Sequence, residues 1–597
     1  MKASIITSFL LFIPSLLLVG QTQVTFVLEE QPSEHSKYIG IRGDTPPLSW
    51  DKTIHIPKTD EGYKITLEFS PTSQEIAFKF VQDHAENLVW ENLQNRSLKI
   101  YPDSSIISTY QWNQEQVVEV SSLPKIPSSA LLEDFELIKT MVLEVHPGTY
   151  RYNSHEQIAQ ALEELYSKFK QPLTYGEAYL AISKLTATLA CGHTKAGFNN
   201  QLPLINSLIH YQQDKVPFTF KWVGDHMILT HNASKEDILR RGTSILSMNG
   251  VPVKDIRERL LPYIGADGAT DGTRVYKLAV NGYDFRYNAF DIFYPLLFPP
   301  KGDSLALTIQ SFGESSSRDV QVAWIGREER SQILKERYHD FPATRDDMWK
   351  FQMVDDSIGV LSMNSFGLYG WKAMTLDYKK FLAETFKELR EQSVPHLILD
   401  IRENTGGNDE MAVELFSYLV PYSMSFEREG RTRYTSFPSS LRPFIQSWGD
   451  NPWYYELSPK DSLPTQGYYI FKENFTQQTV KSDKKPYKGK VYLLSSAANE
   501  SLAFYTAYRF QLQERGLIIG QETGGNLNDI NGGQILFLRL PSSKIEIDFP
   551  VIGGFSLPAK PNSGVIPDIS IPKSREDIAN GIDTELAATL ALIRAGK

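Results

Sequence analysis

The 597-residue sequence contains one cysteine and no excess of basic residues, and each shortage excludes a class of protein. Because Cys191 is alone, the chain can form no internal disulfide and no cysteine-based metal cluster. The formal net charge of -10 argues against a nucleic-acid partner and supplies no basic patch for anionic lipid. Beyond the N-terminal region, no stretch is long and apolar enough to span a membrane. The composition is otherwise that of a globular protein, and the length predicts several domains.

The N-terminal apolar stretch is typical of an export signal. Lys2 precedes an apolar run over residues 5–19 that contains Pro14 and ends at Gly20. A membrane anchor is the alternative, but the run is short for a spanning helix and proline interrupts it. We therefore expect residues 1–20 to be a secretory signal peptide. The mature protein is then exported, to the periplasm or the extracellular space, without a membrane span.

Turn-forming residues and the spacing of apolar residues divide the remaining chain into four predicted domains. Short strands between Gly, Pro and Asp predict a β-sandwich, amphipathic segments with capping residues predict helices, and alternating strands and helices predict an α/β core. The predicted bounds are 22–122 for the sandwich, 128–205 for a helical subdomain, 215–327 for a β-rich module and 340–597 for the α/β core.

One serine lies at a predicted strand-to-helix turn. The unbroken apolar run from Val491 to Leu494 predicts a strand, and the spacing of Leu502, Tyr505 and Tyr508 predicts a helix directly after small residues. Ser501 falls at the start of that helix, where backbone N–H groups and the helix dipole favour negative charge. Taken alone, the pattern favours the alternative that Ser501 merely caps a helix.

Two further segments carry residue types that acyl transfer requires. His193 follows a helix predicted over residues 174–189, where helix carbonyl groups favour a protonated imidazole. Gly406 and Gly407 follow the predicted strand 396–402, and glycines there let backbone N–H groups approach a substrate carbonyl. A phosphate-binding loop is the alternative for the glycines, but the chain lacks the lysine and the glycine spacing that such loops use.

These segments together resemble peptidase family S41, the tail-specific proteases. The motifs that match in order are Cys191-Gly192-His193-Thr194, the Asp-x-Arg-x-Asn-x-Gly-Gly run 400–407, Ser501, the Gly-Gln-Glu-Thr-Gly-Gly run 520–525 and the Gly-Val-Ile-Pro-Asp run 564–568. The resemblance covers roughly residues 130–575. It implies a crotonase-like (ClpP/crotonase) α/β peptidase core. It also implies that the module 215–327 is PDZ-like, through the run 242–253, although a strand and turn without a ligand is the alternative for that run.

The resemblance also implies roles for individual residues. Ser501 matches the nucleophile and His193 the general base, while the N–H groups of Gly406, Gly407 and Leu502 would bind the oxyanion. Asn526 stands where the serine–lysine branch has lysine, so the chain is similar to the serine–histidine, tricorn-like branch.

The residue that orients His193 is less clearly indicated. The position of the tricorn-like glutamate falls within residues 560–563, which contain no carboxylate. Among Glu522, Asp529 and Asp548, we rank Glu522 first. No metal and no cofactor is predicted, because no His/Asp/Glu cluster has ligand spacing.

The predicted sandwich resembles a starch-binding domain of the family-20 carbohydrate-binding type. Trp50, Lys79, Trp90 and Asn95 match that family's two stacking tryptophans and their polar neighbours. Aromatic faces suit the apolar C–H faces of sugar rings, so the resemblance implies an α-glucan partner. The alternative is that these residues only maintain the sandwich.

The sequence thus predicts an exported serine endopeptidase that acts on peptides or proteins through an acyl-enzyme. Cys191 replaces the family's aspartate, and Phe504 replaces its glutamate after the nucleophile. Both departures favour the alternative of an inactive peptidase scaffold that binds a glycan or a peptide.

Overall fold

The computed structural model describes most of the chain. The described residues are 22–28, 38–59, 62–70, 74–84, 87–91, 95–100, 105–110, 112, 117–118, 125–197, 200–282, 288–341, 346–367, 376–427, 429–449, 453, 456, 460–463, 467–471, 477–556 and 558–596. The predicted signal peptide lies outside them. The chain divides into two compact units, Met1–Lys125 and Ile126–Lys597. Among the described residues, no helix is long and apolar enough to cross a membrane.

The first unit consists of two β-sheets around one apolar core. One sheet contains, in spatial order, Val117–Val118, Ser105–Tyr110, Thr22–Leu28, Gly62–Phe69 and Lys58–Thr59. The other contains Ile54–His55, Tyr38–Gly43, Gln74–His84 and Asn87–Trp90, with Arg96–Ile100 also paired to Gln74–His84. Alternate residues of both sheets, such as Phe26 and Phe78, are buried in the shared core. The two-sheet arrangement agrees with the predicted sandwich.

The second unit begins with three helical segments. They are Ser128–Thr140, continued by a π-helical turn Met141–Val145, then His155–Phe169 and Tyr175–Thr188. The predicted capping box is present: Thr174 Oγ1 accepts from Glu177 N at 3.2 Å, and Glu177 Oε2 accepts from Thr174 N at 2.8 Å. The predicted helix 174–189 is therefore confirmed, but it ends one residue early, at Thr188.

An antiparallel sheet with short helices follows. Its strands are, in order, Phe218–Val223, His226–Asn232, Ser244–Met248, Ser304–Gln310 and Arg318–Ala323, with Val251–Pro252 paired to Ser244–Met248. Its helical segments are Pro203–Ile205, Asn206–His210, Val253–Leu260, Leu261–Tyr263, Asp271–Lys277, Ala289–Leu297 and Arg327–Arg337. The segment between Tyr263 and Asp271, here called the Asp267 loop (residues 264–270), reaches the candidate site.

The α/β core is built on a six-stranded sheet. In spatial order its strands are Trp349–Asp355, Ile358–Met363, His396–Asp400, Lys490–Ser495, Gly516–Gly520 and Ile569–Ser570, all parallel to their neighbours except the first. Its helices are Tyr378–Glu391, Asp409–Leu419, Ser501–Leu512, Arg575–Asn580 and Thr584–Arg594, with 3-10 turns at Asp346–Met348 and Arg442–Phe444. The predicted strand 396–402 is confirmed, but it ends two residues early, at Asp400.

A further sheet, which the sequence analysis did not predict, lies in the same region of the chain. Its order is Ile445–Gln446, Gly533–Arg539, Glu546–Phe555, Glu429–Thr432, Tyr468–Phe471 and Lys460–Leu463, and Met424–Glu427 pairs separately with Gln477–Val480. The loop before Gly533–Arg539 contacts the segment that contains His193.

Candidate active site

The turn between the strand Lys490–Ser495 and Ser501 is fixed by a buried amide. Asn499 Nδ2 donates to the carbonyl oxygens of Ile401 at 2.6 Å and Asn404 at 2.9 Å. Asn499 is fully buried, and a buried amide with its partners in place holds a loop in one conformation. The turn is therefore tied to the loop that follows the neighbouring strand.

Ser501 has a backbone conformation that side chains rarely adopt. Its φ is +50°, in the left-handed region, although it is the first residue of the helix Ser501–Leu512. The residue at the N-cap position is Glu500, and no side chain caps this helix. The interpretation of Ser501 as a helix cap is therefore wrong. Strain of this kind persists only where the surroundings impose it, and it is concentrated at functional sites.

Gly406 and Gly407 lie directly against this turn. Their φ values are +106° and +139°. A Cβ atom at Gly406 would lie 2.7 Å from Ser501 Cβ and 3.0 Å from Leu502 N. A Cβ atom at Gly407 would lie 2.0 Å from the carbonyl carbon of Phe366. Glycine is thus required at both positions by conformation and by space.

The N–H group of Gly406 is used within its own loop. Gly406 N donates to Asn404 Oδ1 at 2.9 Å, so this N–H is already engaged. Asn404 is buried and also donates its Nδ2 to Met363 O at 2.7 Å. The loop is therefore held rigidly beside Ser501, with Leu502 N at the positive end of the helix.

His193 lies in a turn beyond the helix Tyr175–Thr188. The chain reverses at Ala190, whose φ is +49°, before it reaches the histidine. Because dipole effects fade beyond the last turn of a helix, the predicted dipole stabilisation of His193 loses its basis. The imidazole instead packs on Gly532, where a Cβ atom would lie 2.9 Å from His193 Cε1.

The turns that contain His193 and Ser501 meet through their preceding residues. A Cβ atom at Gly192 would lie 2.7 Å from Glu500 Oε1. Lys277 Nζ donates to the same Glu500 oxygen at 2.7 Å and balances its charge. The structure thus brings the predicted nucleophile segment and the predicted base segment together, although they are far apart in sequence.

Asp267 is the carboxylate at this junction, and the sequence analysis missed it. Asp267 Oδ1 accepts from Gly192 N at 2.9 Å, and the side chain is 1% exposed. Burial, followed by the charge of Glu500, raises its pKa to about 7. The available signal was an aspartate between two glycines, Gly265 and Gly268, a pattern that favours a tight, functional loop.

Cys191, His193 and Asp267 each offer a donor atom within 4.8 Å of the other two. A metal ion could bridge atoms at this spacing only if the thiol were deprotonated. Burial raises the pKa of Cys191 to about 11, and Cys191 Sγ donates to Asn531 O at 3.6 Å. The imidazole of His193 and the carboxylate of Asp267 are thus close neighbours at this junction.

Residues 357–536 match the sequence model of peptidase family S41. The chain therefore contains a serine peptidase domain of the S41 type. The matched segment includes the glycine pair and Ser501, and the structure adds His193 from outside it. No curated protein sequence matches the chain.

Solved structures share the fold of this peptidase at low sequence identity. Mature CPAF complexed with lactacystin is 14% identical, with a TM-score of 0.53 over 76% of this chain and 95% of that chain. A CPAF serine-to-alanine mutant is 13% identical, with a TM-score of 0.55 over 76% and 94%. The photosystem II D1 C-terminal processing protease is 14% identical over 77% and 98%, but its TM-score of 0.35 is too low to support an argument.

The peptidase's departures from the family pattern have structural partners. Phe504 packs on Gly525, where a Cβ atom would lie 2.2 Å from Phe504 Cγ, and its ring stacks with that of Tyr508. Asn526, in place of the lysine, donates to Asn562 Oδ1 at 2.7 Å and to Asp267 O at 3.2 Å. Neither position offers a general base.

The three carboxylates ranked from sequence have other described partners. Glu522 Oε1 accepts from Gly564 N at 2.7 Å. Asp529 Oδ1 accepts from Ile530 N at 2.8 Å, and Asp548 Oδ1 accepts from Asn200 Nδ2 at 3.2 Å. The assignment of Glu522 to His193 stays a prediction without a described contact to support it.

The predicted sugar-binding residues lie on the first unit. The rings of Trp50 and Trp90 are 6.1 Å apart at 44°, and Trp90 is 38% exposed. Lys79 Nζ donates to Glu91 O at 3.4 Å, beside Trp90. Asn95 is exposed. The structure thus brings the two tryptophans together, and sugar binding stays a prediction.

Arg42 also lies at this pair of rings. Its guanidinium carbon is 5.5 Å from the centroid of Trp90, and Arg42 Nη1 donates to Trp50 O at 2.7 Å. A cation near one tryptophan leaves less of its face for a ligand. Sequence comparison with the carbohydrate-binding family did not point to this residue.

Proposed function

We propose that the chain is an exported serine endopeptidase that cleaves peptides or proteins by way of an acyl-enzyme. Ser501 is the nucleophile and His193 is the general base. The family assignment supports peptide-bond hydrolysis, whereas the roles of these two residues rest on the site itself. Export rests on the N-terminal sequence alone.

In the first half-reaction, Ser501 Oγ forms a bond to the substrate carbonyl carbon while His193 accepts the hydroxyl proton. The carbonyl π electrons move to the oxygen, which becomes the oxyanion. When the carbonyl re-forms, the carbon–nitrogen bond breaks and His193 gives its proton to the leaving amine. Water then attacks the Ser501 ester by the same sequence, with His193 again taking and returning the proton.

The N–H groups of Gly407 and Leu502 stabilise the oxyanion in this proposal. Gly406 N is engaged by Asn404, so Gly407 is assigned in its place as the glycine donor. Leu502 N lies within 3.0 Å of the Cβ position of Gly406, at the N-terminus of the helix. Fixed N–H donors at such a point stabilise charge that develops in the transition state.

The single observation that carries the proposal is the left-handed backbone of Ser501 against Gly406. Ser501 does not cap the helix, so helix capping does not explain its left-handed backbone conformation. Strain becomes useful where a hydroxyl must be presented to a substrate at a fixed angle. The contact of Gly192 with Glu500 supports His193 as the general base for Ser501. Gly192 directly precedes His193, and Glu500 directly precedes Ser501.

Hydrolysis of a fluorescent protein substrate tests this function. We expect Ser501→Ala to abolish cleavage without loss of thermal stability. Ser393→Ala is the matched control, because Ser393 also has a positive φ, +55°, but is exposed at the end of a helix. Cleavage that survives in Ser501→Ala would refute the assignment of the nucleophile.

We also propose an α-glucan as the partner of the first unit. Two neighbouring tryptophan rings, one of them partly exposed, support the proposal. Pyranose rings bind to such surfaces through their apolar faces. The binding would be independent of catalysis.

A further inference from the structure

We propose that Asp267 is the positioning residue that orients the imidazole of His193 for catalysis. The inference rests on the proposed function, and it adds a carboxylate as the third member beside Ser501 and His193. It differs from the sequence prediction of Glu522, because Asp267 belongs to the antiparallel module rather than to the α/β core.

Hydrogen bonds tie the Asp267 loop to the turn of His193. Gly192 N donates to Asp267 Oδ1 at 2.9 Å, and Gly268 N donates to Ala190 O at 3.1 Å. These two bonds hold Asp267 and His193 on adjoining turns. An oxygen of the carboxylate and a nitrogen of the imidazole are within 4.8 Å of each other.

The second carboxylate oxygen is available for this role. Asp267 Oδ2 is buried and has no hydrogen-bond partner among the described residues. A Cβ atom at Gly192 would lie 2.9 Å from Oδ2, so this oxygen points toward the His193 turn. A buried carboxylate without a full set of partners is costly, and proteins keep such groups where they act.

Two asparagines fix the Asp267 loop from the peptidase core. Asn562 Oδ1 accepts from Ala269 N at 3.0 Å, and Asn526 Nδ2 donates to Asp267 O at 3.2 Å. Asn526 and Asn562 are themselves joined by a 2.7 Å hydrogen bond. A Cβ atom at Gly268, whose φ is +61°, would lie within 2.3 Å of Asn562 Oδ1. The hydrogen bonds and the close contact with Asn562 thus fix the position of the Asp267 loop.

Catalysis by His193 requires that its imidazole be held in one tautomer. A base that takes a proton on one ring nitrogen must carry a proton on the other, and a carboxylate that accepts from this second nitrogen fixes the tautomer and the ring plane. The carboxylate also stabilises the imidazolium that forms during the reaction. Asp267 meets both needs when it is ionised.

Ionisation of Asp267 costs stability. Its pKa is raised from 3.8 in the ordinary state to about 7, mainly by burial. The folded state therefore binds the proton more tightly than the unfolded state. This contribution to stability is complete below about pH 4 and is lost as the pH rises through 7. The charged and titratable groups that face Asp267 are Cys191, His193, Glu500, Lys277, Arg151 and Tyr152.

The substitution Asp267→Asn in the full chain tests the inference. We expect kcat to fall by about 10²–10⁴-fold with little change in KM, because the amide cannot stabilise the imidazolium. The acid limb of the pH–rate profile should move to lower pH, because loss of a nearby negative charge lowers the pKa of a histidine. Above pH 8 the variant should melt at or above the wild-type temperature. A residue with only a structural role would give the opposite melting result.

Asp271→Asn is the matched control. Asp271 lies just after the same loop, its side chain is 79% exposed, and it forms an ion pair with Arg274 at 3.4 Å. This variant should keep the wild-type kcat and pH profile. Glu522→Gln is the competing variant: loss of activity there, with activity retained in Asp267→Asn, would overturn the inference.

Proton NMR of the wild-type protein provides a readout that needs no stable Asp267 variant. We expect a low-field imidazole N–H resonance that is absent from His193→Gln, as a histidine N–H bonded to a carboxylate would give. Absence of this resonance in the wild-type protein would overturn the inference, even if Asp267→Asn failed to fold.

Failure of the inference can be separated from failure of the proposed function. If Ser501→Ala and His193→Ala are inactive while Asp267→Asn keeps the wild-type rate, only the role of Asp267 is wrong. If Ser501→Ala and His193→Ala remain active, the Ser–His pair itself is wrong.

Discussion

At the scale of single residues, the candidate active site is built from conformations that cost free energy. Ser501 and Ala190 both have positive φ values, and each begins or precedes a functional segment. Left-handed conformations cost roughly 1–2 kcal/mol for residues with a Cβ atom. The neighbouring glycines, Gly406 and Gly192, leave the space that allows the two segments to meet.

His193→Ala is expected to lower the rate of hydrolysis by about 10²–10⁴-fold, because Ser501 then has no group to accept its proton. Steady-state kinetics on a fluorescent peptide or protein substrate measure the change. His226→Ala is the control, since His226 is exposed on the module. A wild-type rate in His193→Ala would show that another group acts as the base.

His146 is a poor substitute for His193 as a base. Burial lowers its pKa to about 3, and its Nδ1 accepts from Gly148 N at 3.1 Å. His146 Nε2 is 2.8 Å from Thr194 Oγ1. Both nitrogens are thus committed to a structural network.

Local signals in the sequence singled out several residues of the candidate site, but no sequence signal indicated the contacts between distant segments. Ser501 and the glycine pair could be singled out because each lies in a short turn after an apolar strand, Lys490–Ser495 and His396–Asp400 respectively. Asp267 was missed because its partner lies in a distant segment of the chain, and the two flanking glycines indicate a tight loop but not what that loop contacts. The positive φ of Ser501 could not be predicted either, because serine has no preference for the left-handed conformation.

At the scale of secondary-structure elements, the glycine loop and the nucleophile helix must fit without a side chain between them. Gly406→Ala would place a Cβ atom 2.7 Å from Ser501 Cβ at a φ of +106°. We expect loss of most activity, because either Ser501 or the oxyanion donors must move. Loss of one oxyanion donor alone costs about 10²–10³-fold in rate.

Gly302→Ala separates this effect from backbone strain. Gly302 has a similar φ of +92° but no atom within 4 Å of its Cβ position. The control should lose roughly 1–2 kcal/mol of stability and keep its activity. Equal activity losses in the two variants, measured at equal folded fractions, would contradict the close fit of loop and helix.

Elements with complete local signals were predicted best. The helix Tyr175–Thr188 and the strand His396–Asp400 have apolar patterns with clear ends, and both agree with the predicted bounds to within two residues. The sheet that contains Gly533–Arg539 and Glu546–Phe555 was not predicted. In this sheet Glu546–Phe555 pairs with Glu429–Thr432, which is distant in the sequence. The alternation of apolar and polar residues within one strand does not show which distant strand it pairs with.

At the scale of the whole molecule, the two compact units carry separate predicted functions. The first unit offers Trp50 and Trp90, and the second contains Ser501 and His193. Each function can therefore be removed while the other is measured. The domain bounds predicted for the second unit stay predictions.

Retention of the full chain on amylose tests the first unit. We expect binding of the wild-type protein and loss of binding in Trp90→Ala, at a cost of roughly 1–3 kcal/mol for a stacked ring. Trp448→Ala is the matched control, because Trp448 is 75% exposed on the second unit. Peptide hydrolysis by Trp90→Ala should be unchanged. Absence of retention on amylose and glycogen would refute the α-glucan proposal.

Labelling with a serine-reactive fluorophosphonate probe tests the central claim most directly, because the probe reports an activated serine without knowledge of the substrate. The wild-type protein and Ser393→Ala should be labelled, with the modified peptide mapped to Ser501 by mass spectrometry. Ser501→Ala should show no labelling, and His193→Ala should label far more slowly. Labelling that persists in Ser501→Ala, or that maps to Ser496, would contradict the account.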